Sequence, residues 1–125
     1  MKKIKGVLVS NGEVKEYELE YNNYKDFYPL LDCSTFTVAT RSFNDEWLDI
    51  YCDDEGLFKA NNKPSILTFS NGELVEQIVG NAFIVAHDDE GDTISLTDEQ
   101  VQKVMETITT VIYKFKKLKV LQATI

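Results

Sequence analysis

With 125 residues, 43% of them hydrophobic and 27% charged, the chain has the size and composition of one compact domain spanning residues 1–125. That composition excludes wholesale disorder, and no apolar run approaches the roughly 20 residues that cross a bilayer. Thirteen basic against 21 acidic residues leave a net charge of −8, which argues against general affinity for nucleic acid.

The opening residues are basic but lack the apolar stretch of a secretory signal. Two cysteines, Cys33 and Cys52, do not make a disulfide framework, so a cytoplasmic location with reduced thiols is expected. Ile4 to Val9 and Val14 to Glu20 flank Ser10-Asn11-Gly12 and read as a β-hairpin, because Asn and Gly tolerate positive φ. Asn22 or Asn23 caps a short helix that places Tyr24, Phe27 and Tyr28 one turn apart, with Pro29 early in it or kinking it. Thr35 to Arg41 is rich in β-branched residues and reads as a strand. Trp47 to Cys52 alternates, with Trp47, Asp49 and Tyr51 on one side and Leu48, Ile50 and Cys52 on the other. Asp49 suggests that its side is solvated.

Asp53 to Gly56 is turn chemistry, Leu57 to Lys59 a brief strand, and Ala60 to Pro64 a polar loop too short to divide domains. A second Ser-Asn-Gly, at Ser70 to Gly72, joins Ile66–Phe69 to Leu74–Ile78. The wholly apolar Ala82 to Ala86 fits a strand buried on both faces, and a turn at Asp88 to Asp92 leads to a short strand over Thr93 to Leu96. Thr97 and Gln100 form a capping box, with Asp98 and Glu99 in the first turn, where the helix dipole favours them. Val101, Val104, Met105, Ile108, Val111, Ile112 and Phe115 make one apolar stripe, predicting a helix from about 98 to about 116, with a final strand or tail at Val120 and Leu121. The fold class is α+β: a mostly antiparallel β-sheet of six to eight strands, with a short N-terminal helix and a long C-terminal amphipathic helix packed on it.

Catalytic sets are sparse. The sole histidine, His87, stands at a strand end beside Asp88 and Asp89, and reads as a surface residue or as the base of a hydrolase. Cys33 and Cys52 fall where core thiols fall. No phosphate loop, Cys-x-x-Cys or His-Glu-x-x-His is present, so no enzyme, no cofactor and no metal site are expected. Two acidic clusters run from Asp45 to Glu55 and from Asp88 to Glu99. In the second, Asp88, Glu90, Asp92 and Glu99 take positions 1, 3, 5 and 12 of a calcium loop, but Thr93 stands where the sharp turn needs glycine. Turn and helix-start acids explain the same residues. Imitation of a phosphate backbone would need carboxylates along one continuous face, and two turn clusters do not supply it. Small-ligand binding remains: Arg41, the only arginine, is either incidental or an anion contact, and Phe83, Tyr113 and Lys114 are further candidates, although Phe83 fits a core position by pattern.

Three stretches carry a resemblance: Tyr24 to Cys33, Trp47 to Leu57 with its Cys-Asp-Asp-Glu-Gly-Leu, and Val79 through Ser95-Leu96-Thr97-Asp98-Glu99-Gln100. In that order they resemble the domain-of-unknown-function family 3846, small proteins of phages, plasmids and integrated elements in Gram-positive bacteria. The likeness covers roughly residues 1 to 107, and the family label supplies no activity. More distantly, the size, the strand-rich front and the helical C-terminus look like the phage anti-Thoeris sponges, oligomers that sequester a cyclic ADP-ribose signal in pockets between protomers. That resemblance implies a non-enzymatic counter-defence protein of the bacterial host's cytoplasm, binding a small nucleotide-derived ligand as a homo-oligomer. The expected ligand contacts are Arg41, Phe83, Asp92, Thr93, Tyr113 and Lys114; neither nucleic acid nor membrane is an expected partner. The alternative is an acidic inhibitor that binds a host restriction or nuclease system.

Overall fold

Strand alternation and two short helices build the molecule around a six-stranded sheet. The computed structural model describes residues 2–10, 13–43, 46–54, 64–70, 73–113 and 116–122, with side chains described over 2–10, 13–43, 46–54 and 80–108. The N-terminal hairpin forms as expected: β1 (Lys2–Ser10) pairs antiparallel with β2 (Glu13–Tyr21) over its full length. Asn23 then caps a single 3-10 turn (Tyr24–Asp26). Its side chain accepts from the Lys25 amide at 2.9 Å, and Asp26 reaches back to the Asn22 and Asn23 amides at 2.6 and 3.2 Å. The five-residue helix α1 (Phe27–Leu31) follows directly and stops at Asp32, which takes the left-handed conformation at φ 51°.

β3 (Phe36–Phe43) and β4 (Glu46–Asp53) form a second antiparallel pair, and β7 (Ala82–His87) lies between β4 and β1. The order is therefore β2-β1-β7-β4-β3, with the two-residue β8 (Thr93–Ile94) added beside the end of β7. All pairings in this six-stranded sheet are antiparallel. The central place of β7 accounts for its unbroken apolar run, since both its faces are covered. A four-stranded sheet holds β5 (Pro64–Ser70), β6 (Glu73–Val79), β9 (Ile108–Tyr113) and β10 (Lys116–Gln122) in the order β6-β5-β10-β9. Its β5–β10 pair is parallel.

The long C-terminal helix is corrected. α2 runs only from Asp98 to Thr107, and the chain continues as β9 and β10. The capping box is as expected, Thr97 Oγ1 accepting from the Gln100 amide at 3.1 Å and Gln100 Oε1 from the Thr97 amide at 2.9 Å. The error lies at the other end. Thr107-Ile108-Thr109-Thr110-Val111-Ile112-Tyr113 is an unbroken β-branched and aromatic run, poor in helix propensity and suited to a strand. Thr107 already turns its hydroxyl back onto the Lys103 carbonyl at 2.6 Å, a bond that competes with helix continuation. The six-stranded sheet falls within the expected six to eight strands, and the second, four-stranded sheet brings the strands among the described residues to ten. The expected strand at Leu57 to Lys59 lies outside the described residues.

Two apolar layers sandwich the six-stranded sheet. On one face, Val7, Val9, Leu48, Ile50, Cys52, Ala82, Ile84 and Ala86 pack under Val104 of α2, with Phe43 and Leu96. Glu46 ties the helix down, accepting from Gln100 Nε2 at 2.9 Å and lying 3.6 Å from Lys103 Nζ. On the other face, Ile4, Leu8, Leu19, Phe83 and Val85 pack under Phe27 and Leu31 of α1, with Cys33 half-buried at the margin.

Candidate functional site

The α1 face is covered only in part. Phe27 stacks on Tyr51 with ring centroids 4.4 Å apart and planes 12° apart, and it also meets Tyr21, Phe36 and Phe83. Five residues of helix reach no further. Beyond them, Trp47 is 62% exposed and Val38 47%, and the His87 side chain is half-open at 39%. Strand alternation puts Trp47, Asp49 and Tyr51 of β4 on this face with Val38 and Thr40 of β3 and His87 of β7.

Between Trp47 and Val38 stand polar residues that bond to one another. Asp49 is 7% exposed yet satisfied: Oδ1 accepts from Thr40 Oγ1 at 2.8 Å, and Oδ2 lies 3.0 Å from His87 Nδ1. The expected solvation of this side of β4 is therefore confined to Trp47, and Asp49 is a buried anchor for the imidazole. Next to His87 across the β7–β8 pair, Thr93 Oγ1 is 3.0 Å from the Tyr51 hydroxyl. The Tyr21 hydroxyl also hydrogen bonds Thr93; burial pushes the Tyr21 phenol up, helped by the nearby Tyr51, Asp26 and Asp92. The arrangement offers an exposed indole, a carboxylate-anchored imidazole and a row of hydroxyls on one rigid sheet.

Of the six expected ligand contacts, this surface includes Thr93, with Asp92 at its rim. Phe83 is 0% exposed, edge-on to Tyr17 and against Phe27, so in this chain it packs the core beneath the surface. Arg41 shares the parity of Phe43 and so faces the α2 side; its Nη1 donates to the Thr40 carbonyl at 2.9 Å. Tyr113 ends β9 in the four-stranded sheet, and Lys114 lies outside the described residues. The turn acids have a local explanation: Asp88 Oδ1 accepts from the Glu90 and Asp92 amides, each at 2.9 Å, while Gly91 takes φ 86°. Among the described residues no group of three potential ligands could hold a metal ion. No described helix is long and apolar enough to cross a membrane.

Sequence reasoning missed Trp47 and Asp49 as site residues. The signal was present in their alternation with Tyr51 and in His87 ending a buried strand, but only the β4–β7 register joins the two.

Fold and site together define an α+β protein with a mostly antiparallel six-stranded sheet, two short helices, and one half-open sheet face bearing a polar network. A family model described as a domain of unknown function, DUF3846, matches residues 4–109, most of the chain. The chain belongs to that family. No curated protein matches it, and no solved structure does.

Proposed function

We propose that the chain is a non-enzymatic binding protein of a phage or mobile element, which withholds a small nucleotide-derived immune signal of the cyclic ADP-ribose type within the host cytoplasm. The observation that carries this reading is an exposed Trp47 on the same open face as His87, whose imidazole is fixed by the buried Asp49. An aromatic platform beside oriented polar groups is what flat, polar ligands require. Asp49 and His87 supply an orienter and a base, but Cys52, a thiol nucleophile, is buried on the opposite face, which favours binding over catalysis. Homo-oligomers would enlarge such a half-open surface into a pocket.

Calorimetry with cyclic ADP-ribose isomers and cyclic oligonucleotides tests the reading. Saturable heat with at least one of them is expected; no heat with any of them overturns it.

The second reading, an acidic inhibitor of a host nuclease, has one observation in its favour. Glu16, Glu18 and Glu20 are exposed on one side of the edge strand β2, about 7 Å apart, and form a row of like charge along that edge. Lys5 and Lys3 stand directly across from Glu18 and Glu20 and offset much of that charge. A salt-sensitive complex with a host nuclease, without small-molecule binding, would favour this alternative.

A further inference from the structure

The hydrogen-bond pattern at His87 narrows the class of ligand, given that the surface binds a nucleotide-derived molecule at all. Asp49 is engaged twice, by the Thr40 hydroxyl at 2.8 Å and by His87 Nδ1 at 3.0 Å. A carboxylate accepts, so the neutral imidazole carries its proton on Nδ1 and its lone pair on Nε2. Nε2 sits on the far side of the ring from Asp49, with no hydrogen-bond partner among the described residues, on a side chain that is 39% exposed. In that neutral form the surface presents an acceptor, fixed in direction by a buried anchor, whereas a protonated ring would donate there instead.

The charge around His87 bears on the rest of the ligand. The charged groups placed beside His87 are carboxylates: Asp49, hydrogen-bonded to it, and Asp88, the next residue, which holds the Asp92 amide. Arg41 faces the other side of the sheet. Such surroundings disfavour a phosphate and leave a donor-bearing neutral group as the complement. Trp47 supplies the stacking surface. Trp47 and His87 each lie two residues beyond the Asp49–Val85 pair, on the same sheet face and on neighbouring strands, which places the indole and the imidazole side by side for one flat ligand.

We infer that the Trp47–His87 surface receives the base of the ligand, specifically a nucleobase with an exocyclic amino group, of the adenine or cytosine kind. The amine donates to His87 Nε2, the ring stacks on Trp47, and any phosphate is held away from this face. This rests on the binding reading above but goes beyond it, because that reading does not say which part of the ligand meets which residue.

Trp47 is the only tryptophan in the chain, so its own fluorescence reports occupancy. Titrations would use adenosine and purine riboside, which share ring and sugar and differ by the amine, together with adenosine monophosphate. Adenosine is expected to quench Trp47 and to bind about tenfold more tightly than purine riboside, the scale of one directed hydrogen bond. Adenosine monophosphate should bind no more than about twofold more tightly than adenosine. In H87F the acceptor is lost and a flat ring is kept, so the two nucleosides should converge. In H87Q an amide oxygen can accept, and the preference should return in part, which a merely structural role for His87 would not produce. Equal affinities in the native protein, a preference that survives H87F, or a tenfold gain from the phosphate would each overturn the assignment. If neither nucleoside binds while cyclic ADP-ribose gives heat, the base assignment falls and the binding reading stands; if nothing binds, both fall.

Discussion

The two faces of the six-stranded sheet use the same alternation for different ends. The α2 face is aliphatic and closed: small and branched side chains of β1, β4 and β7 lie under a ten-residue helix that is capped, and pinned by Glu46. The α1 face is aromatic and half open: a five-residue helix covers Phe83 and Tyr51 but leaves Trp47, Thr40 and His87 uncovered. The length of the lid decides which strand positions are core and which can meet a ligand. Polar residues survive on the open half because they satisfy one another, as the Thr40–Asp49–His87 chain does.

The contrast is tested most severely at Phe83. Fully buried among Tyr17 and Phe27, it should cost about 3–5 kcal/mol when replaced by alanine, measured by denaturant unfolding. A loss below 1 kcal/mol would mean that the aromatic face is not packed as described. Gly6 comes next. A Cβ there would lie 2.5 Å from the Ile84 carbonyl oxygen and 2.8 Å from Phe83 Cζ and Val85 Cγ1, so backbone must move. Gly6→Ala should therefore destabilise by about 1–3 kcal/mol through overpacking. The α2 lid gives a smaller effect: Thr97→Ala removes the helix cap and should cost about 1 kcal/mol, with amide exchange rising first in the turn that follows residue 97.

Much of this architecture was legible in the chain. The Asn-Gly hairpin, the Asn23 and Thr97 caps and the apolar β7 run are local signals, and each produced the element it predicts. The end of α2 was not legible, because Ile108, Val111 and Ile112 satisfy a helical step as well as belonging to a β-branched run; pairing with β10 decides between them. The site was the least legible part. Asp49 and His87 are 38 residues apart and meet only through strand register, which no short-range pattern encodes. Phe83 shows the converse: its ring suits a ligand contact by type, and its central strand makes it core.

The smallest effect concerns the edge of the closed face, where Lys5 of β1 forms an ion pair with Asp98 at the start of α2. The hydrogen bond to Lys5 holds the Asp98 carboxyl below its ordinary value, and the bond to Asp98 holds the Lys5 ammonium above its own. A lowered carboxyl contributes stability that is present above its unfolded value and lost as the pH falls through the folded one. A raised ammonium contributes stability that is present below the ordinary lysine value and lost as the pH rises through the folded one. The pair therefore acts across the neutral range and fades at both extremes. Since the Asp98 side chain is 95% exposed, solvent and salt screen the interaction, and the effect on stability is slight. Asp98→Asn should lower the melting temperature by a degree or so at about pH 7, and the gap from the native protein should close by about pH 2 or in about 1 M salt. A gap that persists in acid would assign the effect to the asparagine amide at the helix start and not to charge. The α2 lid would then owe nothing to its electrostatic link with β1, leaving Glu46 and the Thr97 cap as its polar attachments.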